Sequence, residues 1–171
     1  MSEQDEATRL AETVLKQGEL KLSSQLTIAL AADVRATAFA GVFIALAAAA
    51  IGAGATILSI SGAHWALISA AFVAAGFLLW SGFLCISVSK PVEFYVVGNQ
   101  PDNWWNDNVD KKPLAECFRT EAANYQARIT KNNAILAKNA EKIERALRLG
   151  WASPLIAAVV WVLVQGFLWR S

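Results

Sequence analysis

The chain has 171 residues, of which 56% are apolar and 17% charged, and its mean hydropathy is +0.39. A soluble domain is nearer a quarter charged, so this balance favours a membrane protein and argues against disorder. A net charge of +1 and only two cysteines, Cys85 and Cys117, argue against a basic nucleic-acid coat, a disulfide scaffold and a cysteine-rich metal protein.

Residues 1–35 have a helical pattern. Glu3, Asp5 and Glu6 suit a helix N-terminus. Leu10, Val14, Leu15, Leu22, Leu26 and Ala29 give an apolar stripe that Gly18 weakens. This cytosolic helix is expected to run towards the membrane and into the first span. Asp33 and Arg35, at the entry, read as a charge pair or surface anchor, with gating as the other option.

Positions 36–89 hold no Asp, Glu, Lys or Arg, and His64 is their one histidine. A span needs roughly 20 apolar residues, so this stretch predicts a transmembrane hairpin over 36–88. Its spans are placed at about 36–58 and 65–88, joined by a turn from Ser59 to His64. The long polar stretch ahead of it is unlike a cleavable signal peptide. Small residues recur at four-residue steps: Gly41, Ala45, Ala49 and Ala53, then Ala48, Gly52 and Thr56, and in the second span Ala71 and Ala75. Such faces allow close helix contact, and they can also line a pore with little obstruction. The candidate pore-lining residues are Ala45, Ala49, Gly52, Thr56 and Ser59.

The connector over 89–112 begins with Val92–Val97, whose β-branched and aromatic content predicts a short extended strand. Turn-forming residues follow from Gly98 to Asn103, then Trp104 and Trp105. The tryptophan pair is either a cap on a helical bundle or a stacking platform for bases.

Pro113 suits a first helical turn, and 113–148 keeps a heptad register. Its a positions are Ala115, Ala122, Ile129, Leu136 and Ile143; its d positions are Phe118, Tyr125, Asn132, Asn139 and Ala146. Leu114, Ile135 and Leu147 widen the seam, which points to a bundle of more than two helices. Asn132 and Asn139 in consecutive d layers either fix register and oligomeric state or, with Asn133, line a hydrated passage or ligand surface. Arg128, Lys131, Lys138, Lys142, Arg145 and Arg148 gather on the membrane-proximal half. Such a collar can meet anionic lipid heads or, repeated by symmetry, a soluble polyanion such as a nucleotide or oligonucleotide. The candidate ligand-binding residues are Arg128, Lys131, Asn132, Lys138, Asn139, Trp104 and Trp105.

The third span is expected over 149–169, with Gly150 and Pro154 marking a possible bend. Trp151 and Trp169 stand about 27 Å apart along a helix, which matches two interfacial belts. Gln165 is the one strongly polar residue deep in this run, and a symmetry mate could satisfy it. Of the 15 Lys and Arg, all but Arg170 fall on one side of this topology. By the positive-inside bias the N-terminus and long loop are cytoplasmic and the C-terminus is outside.

The chemistry of an enzyme is missing. The chain has no phosphate-binding Gly-rich loop, no His-Glu-x-x-His pair and no Gly-x-Ser-x-Gly elbow, so neither catalysis nor a cofactor or metal is expected. The spans also lack the charged residues that proton-coupled transporters carry. The fold class expected is therefore an all-α integral membrane protein. It has three transmembrane helices, long cytosolic helices forming an oligomeric stalk, and a short strand-like connector.

A tight two-span hairpin over 36–88, with a long helix from Pro113, resembles the small membrane effectors of bacterial anti-phage systems, among them SLATT-like proteins and the channel effector of Hailong-type systems. The third span departs from their two-span pattern. The resemblance implies a homo-oligomeric channel of the bacterial inner membrane, controlled by a nucleotide or single-stranded oligonucleotide from a partner nucleotidyltransferase. The alternative from another class is a membrane-anchored accessory protein whose coiled coil binds a partner; an ungated, holin-like lesion former is a third.

Overall fold

The computed structural model describes residues 3–60, 64–98 and 112–170. They form three helices, α1 (Glu3–Ser59), α2 (Trp65–Ile86) and α3 (Leu114–Leu168), each long and apolar enough to cross a membrane. Among the described residues there is no strand. The segments expected as 1–35 and 36–58 are one helix of 57 residues, and those expected as 113–148 and 149–169 are one of 55. Alanine-rich sequence without an internal proline gives α1 no reason to break.

The second helix stops two residues short of the expected 88. Its end is closed group by group. The N–H groups of Ser87, Val88 and Ser89 donate to the carbonyls of Phe83, Cys85 and Ile86, and the Ser87 hydroxyl donates to that of Leu84. Lys142 Nζ takes the carbonyl of Ser87 at 3.3 Å. Helix-end carbonyls left unpaired beside hydrocarbon would each be costly, and none from 83 to 87 is left.

The chain divides into two compact units, Met1–Ala31 with Val92–Lys138 and Ala32–Pro91 with Asn139–Ser171. In the first, α1 and α3 run parallel. Leu15, Leu22, Tyr125 and Ile129 form its core, with Phe118 and Ala122 packed alongside. No described a or d position of the heptad is exposed. The periodicity is therefore real, but within the first unit the seam meets α1 of the same chain. The α1 stripe is corrected too: Leu10 and Val14 are 63% and 52% exposed, whereas Ala11 and Gln25 are buried. Gly18 does not weaken the contact but permits it, since a Cβ there would lie 3.2 Å from the Tyr125 ring.

In the second unit α1 and α2 form an antiparallel hairpin. Ala40, Phe43 and Ala47 pack with Ala75, Leu78 and Cys85, and Ala146 of α3 joins them. Glycines set the approach: a Cβ on Gly54 would stand 3.3 Å from Phe72, and one on Gly82 would stand 3.2 Å from Ile44. At Gly150 a Cβ would come within 2.3 Å of the Phe43 ring, so only glycine fits. Pro154 lies inside α3 and cannot donate to the carbonyl of Gly150. The Ser153 hydroxyl does so instead, at 2.8 Å. The sequence suggests a bend at these two positions; α3 continues through them.

Candidate functional site

Two sets of residues matter, one in each unit. The first lies on the face of α3 where Tyr125, Arg128, Lys131 and Asn132 recur at three- and four-residue steps. Residues 92–97, expected as a strand, lie along this face without a partner strand. Asn132 replaces the ladder. Its Oδ1 accepts the Tyr95 N–H at 3.0 Å and its Nδ2 donates to the Tyr95 carbonyl at 2.8 Å, so one side-chain amide pairs with both backbone groups of one residue. The strand expectation does not hold, and an asparagine rather than a second strand satisfies the Tyr95 backbone.

Asn132 is fully buried, and its second N–H donates to Gln25 Oε1 at 3.2 Å. Gln25 is also buried and sends its own donors to the Ile129 carbonyl at 3.1 Å and to Asn133 Oδ1 at 2.7 Å. Every amide N–H of Asn132 and Gln25 is used inside the chain. Each such bond contributes about 1 kcal/mol net, and orphaning a buried partner costs about 1–3 kcal/mol. The network therefore fixes how the first unit's segments of α1 and α3 register.

Gly98 is held at both ends. Its N–H donates to Tyr125 Oη at 3.3 Å, and its carbonyl accepts from Arg128 Nη1 at 2.7 Å. Its φ of 104° is one that other residues rarely adopt. Arg128 also lies 5.4 Å over the Tyr125 ring, and Lys131 lies 5.0 Å over that of Tyr95, donating to its hydroxyl at 3.4 Å. Burial pushes the Tyr125 phenol above its ordinary value, outweighing the Gly98 N–H and the Arg128 charge, which both act the other way.

The candidate ligand residues thus separate. Arg128 is half-buried and Lys131 exposed, both gripping the connector; Asn132 is enclosed. Lys138 is exposed and Asn139 is half-buried. Trp104 and Trp105 lie outside the described residues. Further along α3, Arg145 and Arg148 are ion-paired with Glu141 and Glu144 one turn back, which trims the expected basic collar. Gln25, Tyr95, Gly98 and Tyr125 were not anticipated. The signal for Gln25 was available: it continues the spacing of Ala11, Leu15, Gly18 and Leu22, a register hidden by the larger Leu10 and Val14.

The second set lies on α1 in the second unit. Ala45, Ala49, Gly52, Thr56 and Ser59 are all exposed and share one side of the helix, opposite Ala36, Ala40, Phe43, Ala47 and Gly54. Gly41 and Gly52 have open space where a Cβ would stand. Thr56 donates to the Gly52 carbonyl at 2.9 Å and Ser59 to the Thr56 carbonyl at 2.8 Å, so neither hydroxyl proton needs an outside acceptor. Of the most apolar window in each helix, 39% is buried in α2, 17% in α1 and 11% in α3. Gln165 is exposed, and no described residue hydrogen-bonds its side chain. Cys85 and Cys117 are free and buried. Among the described residues no three His, Cys, Asp or Glu side chains come together as metal ligands. The chain matches no protein-family model, no curated protein and no solved structure.

Proposed function

We propose that the protein is a homo-oligomeric membrane channel whose water path is lined by the small-residue face of α1, with Ala45, Ala49, Gly52, Thr56 and Ser59 towards the axis. The observation that carries this reading is that the chain leaves that face uncovered while packing the opposite one. One copy has three candidate spans, and only 11% of the α3 window is fully buried, so an enclosed path needs several copies. Small side chains leave room for water, and the two hydroxyls retain acceptor lone pairs for ions or water without stranding a donor.

In this reading the first unit is cytoplasmic and takes a nucleotide or oligonucleotide through Arg128, Lys131 and Lys138, with Asn139 near them in sequence. Asn132 serves the fold instead. The positive-inside bias supports that orientation. A role in anti-phage defence in the bacterial inner membrane, and a partner nucleotidyltransferase as ligand source, rest on the architectural resemblance alone. Because α1 and α3 each contribute to both units without a break, a ligand that prefers one packing of the first unit has a covalent route to the spans.

A second reading, a membrane-anchored accessory protein, is favoured by one feature. Leu10 and Val14 stand open beside Arg119 and Ala122 and form an apolar groove suited to a partner helix. Planar-bilayer recording of the purified protein separates the two. The channel reading expects discrete openings that Gly52→Leu suppresses; silent bilayers containing incorporated protein would exclude it.

A further inference from the structure

We infer that Arg128 and Lys131 form a phosphate-binding site that the chain itself keeps occupied, with the Gly98 carbonyl sitting where a phosphate oxygen would sit. This deepens the ligand reading above and rests on it. The guanidinium of Arg128 spends a donor on a neutral carbonyl at 2.7 Å, and its Cζ lies 5.4 Å over the Tyr125 ring. Lys131, one turn along the same face, lies over the Tyr95 ring and donates to its hydroxyl. Neither cation is ion-paired with a carboxylate among the described residues. The nearest acid in the α3 sequence, Glu121, is buried two turns away and accepts from Asn124.

A phosphate accepts charge-assisted, bidentate bonds from arginine that are roughly twice as strong as a neutral one. It therefore competes well for Arg128. A phosphate that takes the Nη1 edge of Arg128 displaces the Gly98 carbonyl, and among the described residues Gly98 then keeps its 3.3 Å bond to Tyr125. Tyr95 stays pinned, because Asn132 grips it through two bonds inside a closed network. Binding of a polyphosphate thus frees the connector at Gly98 and leaves it anchored at Tyr95. The ligand class is an oligophosphate or phosphodiester, and binding carries its own conformational signal.

The test uses full-length protein in lipid nanodiscs with inorganic triphosphate as the probe, and residue-resolved hydrogen exchange as the readout. Triphosphate is expected to speed exchange of the Gly98 amide several-fold while the Tyr95 amide changes little. Arg128→Gln should weaken triphosphate binding about tenfold or more. Tyr125→Phe removes only the second hold on Gly98, so it should tighten binding. Slower or unchanged Gly98 exchange on binding, equal affinity in Arg128→Gln, or no gain in Tyr125→Phe would each overturn the self-occupied site. No binding of triphosphate by the wild type would overturn the phosphate site altogether. Pore formation, read by conductance without any ligand, stands or falls separately.

Discussion

The two units solve the same problem, holding long helices together, with opposite chemistry. The first is held by a buried amide network, Gln25 with Asn132 and Asn133, around a small core of Leu15, Leu22, Tyr125 and Ile129. The second is held by close approach at Gly54, Gly82 and Gly150, and its hydroxyls bond to their own helices. The difference teaches where water is expected. Directional polar networks specify one register when the alternative partner is water; beside lipid, glycine contacts and self-satisfied hydroxyls avoid stranded polar groups.

That comparison can be broken most decisively at Asn132. Asn132→Leu strands both backbone groups of Tyr95 and the Gln25 carbonyl oxygen, and should cost the first unit about 3 kcal/mol or more. Hydrogen exchange should rise at Tyr95 and along 11–25 while amides of α2 keep their protection. Equal loosening in both units would mean that the chain does not behave as two differently held parts.

Next in size is Gly150→Ala. The new Cβ falls within 2.3 Å of the Phe43 ring, and overpacking of this kind costs about 1–3 kcal/mol. The chain in nanodiscs should unfold at lower temperature, and adding Phe43→Leu should recover part of the loss. Strictly additive penalties in that double-mutant cycle would contradict the contact.

Ser153→Ala is smaller and more diagnostic. It strands the Gly150 carbonyl that Pro154 cannot serve, for a loss of about 1–2 kcal/mol. Pairing it with Pro154→Ala supplies a backbone N–H for that carbonyl and should restore stability. A double variant weaker than Ser153→Ala would refute this account of the hydroxyl.

The smallest effect is a pH dependence. Burial raises the Tyr125 pKa, so folding favours the neutral phenol. Its contribution is intact below the ordinary value of about 10 and declines as pH rises through the higher folded value. Stability of the first unit should therefore fall in that alkaline window, and Tyr125→Phe should flatten the slope.

Much of the fold was legible. Charge-free runs marked the apolar stretches of all three helices, because excluding charge from hydrocarbon is a strong compositional constraint on a chain. The heptad from Ala115 to Ala146 marked the packed face of α3. Its partner was not legible, since periodicity reports that a face is buried and not by what. Helix continuity at 35–36 was legible because nothing there stops the backbone, whereas Gly150 and Pro154 suggested a bend that the continuous α3 does not need. Val92–Val97 read as a strand because β-branched residues favour one; that a single asparagine pairs with the Tyr95 backbone instead depends on contacts remote in sequence. Of the candidate site, small-residue spacing picked out a face of α1 but not that the chain leaves it exposed. The occupation of Arg128 by Gly98 was not legible, because the sequence shows a cation but not the carbonyl it meets.

The central claim is assembly, and native mass measurement of the protein released from lipid nanodiscs tests it most directly. The account predicts one dominant species containing a fixed number of copies, several per particle, that survives dilution. A single copy per particle at all loadings would contradict it, for one chain leaves the small-residue face of α1 and much of the apolar window of α3 exposed.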